Sequence, residues 1–210
     1  MTYTYNPKGV CSRQFEFDVE DGIVKSVKIM GGCQFAPLAG ENSAKAQIVR
    51  SPGHNSVWYD AATGDWYLIH HTRFKATGDR YIVQTRRMWF NDYGWPCVAP
   101  TRYVTDGRMP SDVQLRMDGA WKLLSHGQDV NTEEHISVET AFSADGAVSG
   151  GFNGEYAVEG DRITLTLDDV TYSGVCAVGY DADQDAFVST FTAMSEDGQT
   201  LWGIRATEQE

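Results

Sequence analysis

"SPGHNSVWYDAATGDWYLIHHTRF", residues Ser51 to Phe74, is the stretch on which the fold turns. A Gly-His-Asn-Ser box leads into an apolar run at Val57 and Tyr59. "DAATGD" then supplies turn chemistry: Asp side chains bond their own backbone, and Gly takes positive φ without strain. "WYLIHH" brings the chain back. Two short β-prone runs around such a turn read as paired antiparallel strands. Alternation places His70 and His71 on opposite faces of their strand, so only one of them can face a given site.

Outward from this stretch the pattern stays β. A loop near Lys75 to Asp79 precedes the long strand "RYIVQTRRMWF", and "NDYG" turns the chain into the extended "WPCVAPTRY". Four short antiparallel strands in about 50 residues is the length of one propeller blade. Upstream, residues 34–50 are small and polar, with Pro37 and Gly40 as breakers, and read as a connector. Before it, Phe15, Phe17 and Val19 alternate with polar residues up to the Asp21-Gly22 turn, the signature of a hairpin over residues 13–29. Downstream, "VTDGRMPSD" is a second linker. Beyond Trp121, Ile136, Val138, Thr140 and Phe142 alternate, and Ile163, Leu165 and Leu167 line one face of "ITLTL". No stretch reads as a helix. The fold class expected is all-β: an N-terminal hairpin segment (1–34), a linker (35–50), a partial β-propeller blade (51–104), a linker (105–117) and a small antiparallel β-barrel or sandwich (118–207).

Composition narrows the function. The 210 residues carry a net charge of −12, which repels phosphate backbones and anionic membranes. Nucleic acid and membrane are therefore not expected partners. No apolar run approaches the roughly 18–20 residues of a membrane span. The first residues, "MTYTYNPKGVCSRQFEF", lack the apolar core of a secretory leader, so the sequence as written is expected in the cytoplasm. The cysteines, Cys11, Cys33, Cys97 and Cys176, are too dispersed for a zinc knuckle and read as buried thiols. Cys11 and Cys33 flank the first hairpin, so a metal or redox pair there is the alternative.

The strings "SPGHNSV", "TGDWYLIHHTRF" and "MWFNDYGWPCVAPTRY" resemble, in order and spacing, the final blade of family 43 glycoside hydrolases, and most of all its endo-α-1,5-L-arabinanases. "WKLLSHGQDV", "DGAVSGGFNGEYAVEGDRITLTLDDVTYSGV" and "FTAMSEDGQTLWG" resemble the C-terminal β-domain appended to those enzymes, whose family is extracellular. This resemblance covers about residues 51–206. The first 34 residues look instead like the start of a TSCPD domain, although the Thr-Ser-Cys-Pro-Asp string itself is absent.

The resemblance implies an inverting five-bladed propeller that works with an Asp base, a Glu acid and a supporting Asp, all drawn from earlier blades. Inversion needs two carboxyl groups about 6.5–9.5 Å apart across the scissile bond. None of those residues has a counterpart here, so no catalytic residue is assigned. Asp60, Asp65, Asp92, Asp145 and Asp197 lie in turns, where a carboxylate is solvated and engaged with its own backbone. By resemblance, His54 of "GHNSV" is the metal-site residue, beside a weakly held calcium ion. Calcium prefers oxygen ligands, and one imidazole is a poor anchor for it. Arg73 of "HHTR" is the candidate substrate-binding residue, with pinning of a strand end as its structural alternative. Trp58, Trp66, Trp89 and Trp95 could stack on sugar or pack against neighbouring blades. The leading expectation is the C-terminal portion of an arabinan-degrading enzyme, inactive alone. The alternatives are a non-catalytic carbohydrate-binding β-domain, or a thiol- or metal-linked role for the TSCPD-like segment.

Overall fold

The computed structural model describes residues 2–5, 14–20, 23–30, 37–39, 48–74, 81–104, 109–126 and 135–207. All regular structure among them is β, arranged as two open sheets and one closed barrel.

The first sheet contains β1 (Thr2–Tyr5), β2 (Gln14–Glu20) and β3 (Ile23–Met30) in that order. β2 and β3 form the hairpin read from the sequence, paired from Gln14↔Met30 to Glu20↔Ile23 with a bulge between Asp18 and Val19. β1 was not anticipated. "TYTY" consists wholly of β-favouring residues, but four residues are too few to show a period. The Asp21-Gly22 turn, Cys11 and Cys33 lie outside the described residues.

The second sheet runs β4 (Pro37–Ala39), β5 (Ile48–Asp60), β6 (Asp65–Phe74), β7 (Tyr81–Phe90) and β8 (Pro96–Val98), each antiparallel to the next. It begins upstream of where the sequence suggested. The expected connector holds β4 and the start of β5, paired from Pro37↔Arg50 to Ala39↔Ile48. β4 opens on a proline at the sheet's edge, where a missing N–H costs no ladder bond. The β5–β6 turn forms as its residues dictate. Asp60 Oδ1 accepts from the Ala62 N–H at 2.9 Å, and Gly64, at φ 80°, donates to the Asp60 carbonyl at 2.7 Å.

The barrel is an eight-stranded meander: β9 (Gly119–Ser125), β10 (Val138–Phe142), β11 (Ala147–Gly150), β12 (Gly154–Glu159), β13 (Arg162–Leu167), β14 (Val170–Asp181), β15 (Ala186–Ser195) and β16 (Thr200–Arg205). Every strand pairs with the next, and β16 closes on β9 from Leu201↔Ser125 to Arg205↔Trp121. Closure leaves no open edge on this unit. The interior is filled by side chains. Trp121 is 1% exposed and stacks on Phe142 at 5.2 Å, while its indole N–H donates to the Met117 carbonyl at 2.6 Å. Ile163, Leu165 and Leu167 point inward together, as their alternation required. Gly203 lies opposite Phe191, and a Cβ there would run into the Phe191 ring. Glycine at 203 thus makes room for the largest side chain of the β15 interior.

The sheet is clamped to the barrel through the β7–β8 turn. Asn91, 5% exposed, holds the turn with its Oδ1, which accepts from the Tyr93 and Trp95 N–H groups. Its Nδ2 donates across to the barrel carbonyls of Ser173 (3.1 Å) and Met194 (3.2 Å). The Ser173 hydroxyl accepts from the Asp92 N–H and donates to the Asp92 carboxylate. Arg162 donates to the Phe90 carbonyl at 2.6 Å, and the Trp95 indole donates to the Glu196 carbonyl at 3.1 Å. Arg86, buried on β7, stacks over Trp202 of β16 at 5.3 Å.

Candidate functional site

His54 and Arg73 share one region of the second sheet. β5 slips register between Arg50 and Gly53 and again between Gly53 and Ser56. Such bulges leave a residue unpaired and re-aim its side chain. His54 sits in this interruption at φ 50°, a left-handed conformation rarely occupied outside glycine. Its exposed ring stacks at 6.1 Å on His71, the half-buried member of the His pair. His71 meets Tyr81 edge to face at 4.6 Å, and the Arg73 guanidinium lies over the same Tyr81 ring at 4.8 Å. The antiparallel register, with Arg73 opposite Tyr81 and His71 opposite Val83, brings this set together.

His70 points the other way, as alternation demands. It is 5% exposed, and its Nδ1 lies 3.2 Å from the His71 carbonyl. Burial, reinforced by the nearby Arg86 charge, lowers its pKa and favours the neutral ring. His70 is therefore part of the buried polar layer with Thr72, Gln84 and Arg86.

The donor set around His54 is poor for calcium. Among the described residues no cluster of three or more His, Cys, Asp and Glu side chains could hold a metal. The nearest neighbours on this face are another imidazole, a phenol and a guanidinium, and hard cations prefer carboxylate and carbonyl oxygens.

The carboxylates of the turns are engaged as turn residues. Asp65 accepts from Arg87 at 2.9 Å. Asp92 belongs to the clamp. A hydrogen bond from Ser143 lowers the pKa of Asp145, and one from Ser195 does the same for Asp197. A general acid needs the opposite shift, toward neutrality. Burial raises the Cys97 thiol to about 11 and the Cys176 thiol to about 12, so both are inert buried thiols, as read. Tyr81 and Asn91 were not singled out from sequence. The alternating "RYIVQTRRMWF" could have flagged Tyr81 only with the hairpin register in hand, and the partners of Asn91 are backbone carbonyls.

Comparison with known proteins supplies the relationships. Residues 100–203 match the GH43_C family, described as a C-terminal lipocalin-like domain. An extracellular endo-α-(1→5)-L-arabinanase 2 of Bacillus subtilis (strain 168) is 33% identical over 181 residues, which is 85% of this chain and 37% of that protein. An extracellular endo-α-(1→5)-L-arabinanase of Thermotoga petrophila is 30% identical over 164 residues, 75% of this chain and 34% of that protein. The chain thus spans about a third of the length of these curated relatives. Among solved structures, the family 43 glycoside hydrolase YxiA of Bacillus licheniformis superposes with a TM-score of 0.68 at 25% identity, over 99% of this chain and 52% of its own. The endo-1,5-α-L-arabinanase of T. petrophila gives a TM-score of 0.71 at 25% identity, over 93% and 48%. The YxiA match takes in the first 34 residues, where the sequence suggested a TSCPD-like segment. Over residues 100–203 the chain belongs to the C-terminal lipocalin-like domains of family 43 glycoside hydrolases, and it is homologous to extracellular endo-α-1,5-L-arabinanases.

Proposed function

We propose that this chain is the C-terminal portion of an arabinan-degrading glycoside hydrolase and is catalytically silent by itself. The observation that carries the reading is the end of the β5–β7 ladder bearing His54, His71, Arg73 and Tyr81, which offers positioning groups and, among the described residues, no carboxylate pair; Asp60 and Asp65 are cross-strand partners at the other end of these strands, and Asp65 is held by Arg87. An acid and a base must come from elsewhere for inversion to occur. Val57, Trp58, Tyr59 and Val83 stand exposed on the same three strands. The two curated relatives, about three times the matched length, supply the substrate class: arabinan. They are extracellular, in contrast to the cytoplasmic location expected of the sequence as written, and the whole enzyme is accordingly placed outside the cell in this reading.

Arg73 is proposed to donate to a sugar hydroxyl, its guanidinium oriented by Tyr81. His54 is proposed as a single, water-mediated contact to a calcium ion whose remaining ligands lie outside the described residues. Calorimetry with calcium should show weak binding that His54→Ala removes. Tight binding that survives the substitution would place the ion elsewhere. The substrate class is tested by electrophoresis through gels containing linear α-1,5-arabinan. The chain should be retarded relative to a sugar-free gel, and unchanged mobility would contradict the arabinan reading.

A further inference from the structure

A cleft of about 300 Å³ lies where β7, β8 and the residues that follow them meet the barrel. One wall is Arg87 and Trp89 of β7 with Thr101 and Tyr103 beyond β8, and the other is Tyr180 of β14 with Phe187 of β15. The volume is at the low end of the ~300–1,000 Å³ range of small-molecule sites, which sit preferentially between structural units. Its floor is tight, because Gly179 lies against Thr101 and any Cβ there would meet the Thr101 side chain.

The groups that line it are already held in place. Tyr180 meets Phe187 edge to face at 5.3 Å, and its hydroxyl donates to the Asp185 carboxylate. Tyr103 is fixed edge-on to the buried Tyr67 at 5.0 Å. Arg87 is anchored by Asp65 at 2.9 Å. Side chains already held in this way lose less freedom on binding. The chemistry is that of sugar recognition: aromatic faces accept the apolar C–H face of a sugar ring, while fixed hydroxyl and guanidinium groups meet its rim. The charges lining the cleft offset one another, Arg87 with Asp65 and Arg102 against Asp161, so no net charge favours an ionic ligand.

We propose that this cleft binds a short neutral pentose oligosaccharide. The choice of pentose rests on the arabinan reading above; the site itself rests on the cleft's walls. The test is an amide and indole NMR titration of the full chain with arabinotriose and, separately, with xylotriose. Saturable shifts are expected at the Trp89 indole and at Gly179, Tyr180 and Thr190, with the Trp121 indole unmoved inside the barrel. Tyr180→Ala should weaken the arabinotriose affinity about tenfold, the loss of one aromatic contact. The shift map needs no variant, so it stands even if that variant fails to fold. Shifts at the cleft with xylotriose alone would support the site and remove its assignment to arabinan. No shift with either sugar, or shifts confined to His54 and His71, would overturn the proposal and leave the arabinan reading to the gel experiment.

Discussion

His54 carries the strongest local signal of purpose in the molecule. A non-glycine residue in the left-handed region costs about 1–2 kcal/mol relative to ordinary backbone, and such strain persists at positions where a particular side chain is wanted. His54→Gly should therefore be more stable than His54→Ala by about 1 kcal/mol, because glycine alone relaxes φ 50°. Equal urea midpoints for the two variants would mean that the conformation is unstrained. A second residue-scale prediction concerns His126. Its Nε2 is buried, and its ring stands edge-on to Trp202 at 4.3 Å. Burial first, then the His135 and Arg86 charges, lowers its pKa from 6.5 to about 3. The unfolded chain takes up a proton near 6.5 and the folded chain resists until about 3, so the stabilisation by neutral His126 is complete above 6.5 and drains away as pH falls toward 3. Urea midpoints should fall across that window, and less steeply in His126→Phe. Parallel profiles would remove His126 as the cause. The sequence showed that His70 and His71 diverge, because alternation alone decides it. It did not show that His54 stacks on His71, because that depends on bulges in β5.

At the scale of elements, the docking of sheet on barrel hangs on the turn from Phe90 to Trp95. Asn91→Ala removes two acceptor bonds that shape the turn and two donor bonds to the barrel. Each hydrogen bond lost costs about 0.5–1.5 kcal/mol. Hydrogen exchange should quicken in β6–β8 while the amides around Trp121 and Phe191 stay protected. Uniform protection in the variant would show that the clamp is not where the units are joined. The barrel strands were legible in sequence where alternation was long, as at Ile163, Leu165 and Leu167. β1 and β4 were not, since strands of four and three residues carry no readable period and owe their existence to partners. "NDYG" announced a turn. Nothing in it announced the clamp, because the Asn91 partners lie 82 and 103 residues away and are main-chain atoms.

At the scale of the whole molecule, the chain combines a closed barrel with an open sheet docked on it through the β7–β8 turn. The barrel has a filled interior and no open edge, whereas Val57, Trp58, Tyr59 and Val83 remain exposed on the sheet. The all-β class and the family were readable from motif strings and turn spacing. A small antiparallel barrel or sandwich was expected over residues 118–207, and the pairing of β16 with β9 makes it a closed barrel. The central claim is that this arrangement positions sugar-facing groups without the acid and base that cleave the bond. The most direct measurement is reducing-sugar release from linear α-1,5-arabinan by the purified chain, with and without calcium, against a buffer blank. Each missing acid or base typically costs ~10²–10⁴-fold in rate, so release should not rise above the blank. Sustained turnover that is abolished by Asp60→Asn or Asp65→Asn would show that the sheet holds a complete site and would contradict the account.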